Sequence, residues 1–253
     1  MTPTTQQRVT APVELGVLSL RKNERGLLLG GTGSGKSTLA DMLRRDFLHR
    51  YRLVGGRCLI VDTKPRYRAQ WQVNGVTAAR RYKRWDHGPA VTGSYVVDDV
   101  PDLKQAWKLG ARVVIVQCES KRDLARVIAV AQAFLDDSRA GRPQLIQWDE
   151  VSDFFHTNGM AKGGDDTVER SAKAGRERGC ANLYCSQRSK GISSSLLEHM
   201  TRGYFMVLDS QPDAKRVYEM GAPEFVWPTQ DHVFMYWTKQ DRHRVWGPYK
   251  LKL

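Results

Sequence analysis

The sequence predicts an α/β protein built on a mostly parallel sheet flanked by helices, and three observations predict it. An apolar strand runs into a glycine-rich loop and then a helix in "LLLGGTGSGKSTLADML", Leu27 to Leu43. Short apolar strands then alternate with helical stretches along most of the chain, the pattern of a sheet covered on both faces. Finally, "LIQWD" and "ANLYCSQ" are strands that end on a polar group, which a parallel arrangement carries to the edge where the loop lies. The 253 residues suit one large domain with small additions and a sizeable core.

Taken in order, residues 1 to 12 are polar and Thr-rich, and Val13 to Leu20 has the composition of a strand that turns through "RKNERG" into the strand before the loop. After the loop, Leu39, Met42 and Leu43 recur at helical spacing. "RCLIVD", Arg57 to Asp62, and "ARVVIVQ", Ala111 to Gln117, read as strands with an irregular basic stretch between them. Arg122 to Asp137 sets Leu124, Val127, Ile128, Ala131 and Phe134 on one helical face. Strand "PQLIQWDE" ends in Asp149 and Glu150, and strands Ala181 to Gln187 and Gly203 to Leu208 follow, with "PDAKRVYEM" helical after the last. The tail alternates as a hairpin turning near Lys239 to Arg242. These elements divide the chain into a lead (1–25), a core (26–225) and a C-terminal hairpin packed on it (226–253).

Forty Lys and Arg against 27 Asp and Glu give a formal charge of +13, which favours a polyanionic partner, nucleic acid first. No apolar run approaches the roughly 20 residues that span a bilayer, and the start lacks a basic segment followed by an apolar one, so a cytoplasmic protein without a membrane span is expected. Cys58, Cys118, Cys180 and Cys185 show no paired CxxC spacing and read as reduced packing residues.

The loop meets the pattern GxxxxGK followed by Ser or Thr with Gly30, Gly35, Lys36 and Ser37, and Thr38 continues it. Gly31, Thr32, Gly33 and Ser34 between them leave backbone N–H groups to point at phosphate oxygens. Lys36 would reach the β and γ phosphates of ATP and Ser37 would hold Mg²⁺. Asp149 stands where such proteins place a second carboxylate for Mg²⁺. Glu150 beside it can orient and deprotonate an attacking water, which hydrolysis requires and a small-molecule kinase does not. The alternative is that the two acids cap the segment "VSDFF". Gln187 at the end of its strand can sense the γ-phosphate, or it is a polar residue leaving the sheet. "ERSAKAGRERG" places Arg170, Arg176 and Arg178 on a helix, as a solvated basic face or as a source of an arginine for a neighbouring subunit's site.

These residues together resemble the FtsK/HerA superfamily of DNA-translocating ATPases. The likeness rests on "GGTGSGKST", "LIVDTK", "LIQWDE" and above all "AGRERGCANLYCSQR", and it spans about Leu27 to Leu208. It implies a RecA-like fold, ATP with Mg²⁺, and a ring whose subunits lend arginines to one another. By position, Lys36 and Ser37 bind phosphate and metal, Asp149 supports Mg²⁺, Glu150 is the base, Gln187 the sensor and Arg176 the arginine finger. Ser189 stands where many relatives have proline. The short lead before the loop leads one to expect a bare core without the barrel of HerA proteins or the DNA-reading domain of FtsK, and such a core resembles the genome-packaging ATPases of membrane-containing double jelly-roll viruses.

That resemblance implies double-stranded DNA as cargo, a hexameric or pentameric ring, and a capsid or portal vertex protein as partner, in the host cytoplasm or on the virion. A conjugation or DNA-processing ATPase of the same superfamily is the first alternative, a small-molecule kinase the second, and a nucleic-acid-binding protein whose ATP site serves assembly the third. Two stretches offer DNA contacts to the backbone. "KPRYRAQWQVNGVTAARRYKRW", Lys64 to Trp85, interleaves seven basic residues with Tyr67, Trp71, Tyr82 and Trp85, which would stack on bases or else pack inward. "TNGMAKGGDDT" is a glycine-rich loop carrying Lys162.

Overall fold

A computed structural model describes residues 18–63, 67–72, 90–118, 121–137, 141–154, 167–208 and 211–251. Ten strands form one sheet: β1 (Arg25–Leu29), β2 (Arg57–Asp62), β3 (Arg68–Gln72), β4 (Ala90–Val96), β5 (Val113–Gln117), β6 (Gln144–Asp149), β7 (Cys180–Ser186), β8 (Arg202–Phe205), β9 (Val233–Thr238) and β10 (Asp241–Lys250). Their spatial order is β10-β9-β8-β1-β7-β6-β2-β5-β4-β3. Every neighbouring pair from β8 to β3 is parallel, and β9 and β10 extend the β8 edge antiparallel. The tail hairpin therefore continues the core sheet.

Helices cover both faces because the central strands are apolar on both sides. On one face lies α1 (Lys36–Arg50), which buries Leu39, Ala40, Leu43 and Phe47 against Leu28, Ile60, Leu145 and Leu183. On the other lie α2 (Val100–Lys108), α3 (Leu124–Asp137), α4 (Thr167–Arg178) and α5 (Ser194–Glu198), with Val127, Phe134, Trp148 and Leu196 in one apolar cluster. A short α6 (Gln211–Val217) follows β8. Within the second layer, Ser171 and Tyr184 share a 2.7 Å hydrogen bond, Asn182 donates to the Ser171 carbonyl at 3.1 Å, and the Trp148 indole donates to Asn182 at 3.2 Å. That chain seats α4 on β6 and β7.

The structure corrects the expected order in two places. Leu18 to Leu20 is buried but belongs to no strand; the Leu18 carbonyl accepts the Tyr204 hydroxyl, which pins it to β8. Residues 1–17 lie outside the described residues. Among its described residues, the stretch between β2 and β5 contains two strands and α2. Helix α2 begins at a side-chain cap, the Asp99 carboxylate accepting the Asp102 N–H at 2.9 Å, with Pro101 in its first turn.

Candidate functional site

The carboxyl ends of the parallel strands meet along one edge. Register aligns Leu29 of β1 with Ser186 of β7, and Asp62 of β2 with both Asp149 of β6 and Gln117 of β5. Strand β7 lies between β1 and β6, so the residue after β7, Gln187, falls between the loop after β1 and Glu150 after β6.

The loop is shaped by close packing. A Cβ on Gly30 would stand 2.7 Å from both the Met206 Cβ and the Ser34 Oγ, and Gly33 and Gly35 take φ of 79° and 98°. The left-handed region at those two positions favours glycine. The Lys36 ammonium folds back onto the loop, donating to the carbonyls of Gly30 at 2.5 Å and Gly31 at 2.6 Å. Those carbonyls give the buried ammonium acceptors, so its charge is not left uncompensated. Not every amide of the loop points inward. The Gly31 N–H continues the ladder to Val207 at 2.6 Å, and the Gly30 N–H donates to Ser186 at 3.2 Å. The Ser34 N–H bends to the Gly31 carbonyl at 3.4 Å, and its hydroxyl donates to that carbonyl at 2.8 Å. The amides of Gly30, Gly31 and Ser34 thus bond within the protein. Ser37 is exposed and Thr38 half-buried in the first turn of α1.

Three predicted residues are brought together. The Thr32 hydroxyl donates to the Gln187 side-chain oxygen at 3.3 Å. The Gln187 backbone N–H in turn donates to Glu150 Oε1 at 2.9 Å. Glu150 and Asp149 are both buried, and the Asp149 carbonyl accepts the Thr63 hydroxyl at 2.8 Å. Glu150 begins a 3-10 turn, Val151–Phe154, but its carboxylate reaches across to β7, so capping is not its whole role.

The arginines separate. Arg178 pairs with Asp136 of α3 at 2.8 Å, Arg170 is exposed, and the Arg176 side chain lies outside the described residues although its backbone is in α4. Tyr67 takes the inward-packed alternative: its ring lies beneath the Arg44 guanidinium, 5.5 Å from the centroid, and its hydroxyl accepts from Gln147 at 2.7 Å. Burial pushes its phenol well up from the usual range. It packs partly buried against the apolar layer of α1. Trp71 lies in β3 with its side chain outside the described residues, as are residues 64–66, 73–89 and 155–166, with Lys162 among the last.

Sequence reasoning missed Asp62, His232 and Ser186. Asp62, fully buried, accepts the Tyr67 N–H at 3.1 Å beside Asp149. Its signal was present, since "LIVD" ends on an acid as "LIQWD" does. His232, with φ of 62°, donates its N–H to the Ser34 carbonyl at 2.9 Å, and its ring would lie 2.8 Å from a Cβ on Gly35. The tail thus braces the loop, which periodicity alone does not reveal. Ser189 explains its own departure from proline: its N–H and hydroxyl both donate to the buried Asp213 carboxylate, at 2.8 and 2.9 Å. The cysteines form no disulfide; Cys58, Cys180 and Cys185 are buried, and burial pushes the Cys58 thiol up to about 12. Among the described residues no helix is long and apolar enough to cross a membrane.

Comparison by sequence finds no matching protein family and no matching curated protein. Comparison of folds does find matches. The genome packaging NTPase B204 from Sulfolobus turreted icosahedral virus 2, in complex with ATP-gammaS, superposes with a TM-score of 0.59 at 12% identity, over 89% of this chain and 97% of that one. B204, the DNA-packaging ATPase from Sulfolobus turreted icosahedral virus, gives 0.58 at 11% identity, over 90% and 99%. EssC (ATPases 2 and 3) from Geobacillus thermodenitrificans gives 0.54 at 11% identity, over 86% of this chain and 38% of that one. At such identities the likeness speaks for architecture, and the architecture is the RecA-like P-loop ATPase fold that the motifs led one to expect.

Proposed function

We propose that this chain is an ATPase that couples hydrolysis to the movement of double-stranded DNA, as one subunit of a hexameric or pentameric ring, and that its cargo is a viral genome entering a capsid through a capsid or portal vertex protein. The observation that carries the reading is the hydrogen-bonded line from Thr32 through Gln187 to Glu150, which joins the phosphate loop to a buried carboxylate. A charge of +13 and the architecture shared with proteins described as packaging ATPases support the DNA and capsid parts.

The residues fit ATP with Mg²⁺: the loop admits no Cβ at Gly30, the Lys36 ammonium lies against the loop, and Asp149 is a buried acid at the same sheet edge. Bound Mg·ATP supplies the phosphoanhydride bond to be cleaved and a metal charge that neutralises the phosphates. Lys36 would bind the β and γ phosphates. The Ser37 hydroxyl and Asp149 carboxylate would hold the metal. Glu150 accepts the proton of the attacking water, and Gln187 exchanges Thr32 for the γ-phosphate and so reports its presence. Arg176 would act on a neighbouring subunit's site.

The test is steady-state hydrolysis by the purified chain with and without duplex DNA, alongside its mass in solution. Turnover that rises with duplex, a response that fades as salt rises, and a ring-sized particle are expected, because phosphate contacts release counterions. A rate indifferent to duplex from a lone subunit would sink the coupling.

A further inference from the structure

Glu150 is placed in a way its strand does not dictate. The alternation of side chains along β6 would send residue 150 to the face opposite Asp149. Instead the backbone turns at Glu150 with a left-handed φ of 55°, a conformation that residues other than glycine hold only where their surroundings fix it. The surroundings here are three donors on one carboxylate oxygen. Glu150 Oε1 accepts the hydroxyl of Ser152, the hydroxyl of Ser186 and the N–H of Gln187, each at 2.9 Å. Two of the three come from the end of β7, the strand that also carries the predicted sensor.

Ser186 differs from the other two donors in having a choice. Its hydroxyl lies 2.9 Å from Glu150 Oε1 and 2.8 Å from the Arg188 carbonyl, and its oxygen receives the Arg188 N–H at 3.2 Å. One proton cannot serve both acceptors at once. Turned to Glu150, the hydroxyl completes the set of three donors. Turned to Arg188, it closes the bend after β7 and leaves Oε1 with two. Residue 187 sits between these settings and bonds to the phosphate loop through Thr32.

We propose that Ser186 is a positioning residue for Glu150 and couples it to Gln187, so that the base and the γ-phosphate sensor form one hydrogen-bonded unit. When Gln187 exchanges Thr32 for phosphate, residues 187 and 188 shift relative to the Ser186 rotor, and the hold on Glu150 changes with them. Hydrolysis is thereby tied to a filled site. The inference rests on the roles proposed above for Glu150 and Gln187.

A kinetic double-mutant cycle with a conservative control tests it. Ser186→Ala should lower kcat by about tenfold or more while leaving the KM for ATP within about twofold, the signature of a group that acts after binding. Ser186→Thr restores the hydroxyl and should return most of the rate. Ser186→Ala combined with Gln187→Ala should cost less than the product of the two single losses, because each breaks the same unit. Thermal unfolding and binding of a non-hydrolysable ATP analogue, measured on each variant, separate misfolding from lost positioning. A wild-type rate for Ser186→Ala, multiplicative losses, or a loss of analogue binding equal to the loss of rate would overturn the proposal. Glu150→Gln is run in parallel. If it still turns over, the base assignment has failed; if it is inert while Ser186→Ala is normal, only the positioning role has failed.

Discussion

Gly30 shows how little room the phosphate loop leaves. An added Cβ would press to 2.7 Å on the Met206 Cβ, which sits in the buried segment leaving β8, so the loop and not the sheet must yield. Gly30→Ala should therefore weaken binding of a fluorescent ATP analogue by about tenfold or more through displaced amides, because overpacking a fixed site distorts it. Unchanged affinity would mean that the loop relaxes freely. Gly30, Lys36, Glu150 and Gln187 were legible in the sequence because each occupies a fixed place relative to a motif or a strand end. Ser186 and His232 were not, because their roles depend on which strands are neighbours and on where the tail lands; Asp62 was legible as an acid ending its strand but not as the neighbour of Asp149. Asp62 meets Asp149 only through the β2–β6 register, and Ser186 meets Glu150 only because β7 adjoins β6.

At the scale of elements, strong periodicity was readable and short, mixed segments were not. Helices α1 and α3 and strands β1, β2, β5, β6, β7 and β8 follow long apolar patterns. Strand β3 hides in a stretch rich in basic residues, β4 is interrupted by Gly93 with φ of 68°, and α2 is only nine residues long. Its cap was nonetheless visible as Asp99 and Pro101 in "DDVPDL". The exit from β7 is where element packing yields a sharp expectation. Ser189 and Lys190 both donate backbone N–H groups to Asp213 of α6, at 2.8 and 3.0 Å, and Arg216 of α6 donates to the Ser189 carbonyl at 3.0 Å. Proline at 189 lacks both the N–H and the hydroxyl, leaving a buried carboxylate short of two donors. Ser189→Pro should cost about 1 to 3 kcal/mol, read as a melting midpoint lowered by several degrees, at about 2–4 °C per kcal/mol for a chain of this size. An unchanged midpoint would show that α6 docks without this carboxylate.

At the scale of the whole molecule, the two-sided burial that makes the sheet central also decides how the protein meets alkali. The core encloses groups that ionise above neutrality. Burial pushes the Cys58 thiol from an ordinary 9.0 up to about 12 and the Tyr236 phenol from 10.0 up to about 12, and it raises Cys180, Tyr67, Tyr184 and Tyr204 as well. Arg44 beside Cys58 and Arg202 beside Tyr236 pull the other way without offsetting the burial. Each of these groups holds its proton more firmly folded than unfolded. Their contribution is therefore intact below the unfolded values near 9 and 10, and it drains away as pH climbs through the folded values. For Cys58 the window runs from 9.0 to about 12. By pH 11 that one thiol should remove about 1 to 3 kcal/mol, since each pH unit past the unfolded value costs about 1.4 kcal/mol. Cys58→Ala leaves a cavity and so starts less stable near neutrality, yet it lacks the titrating group. Urea unfolding followed from pH 8 to pH 11 should show the gap between wild type and Cys58→Ala narrowing. A constant gap would place Cys58 in contact with water, contrary to its complete burial between α1 and the sheet.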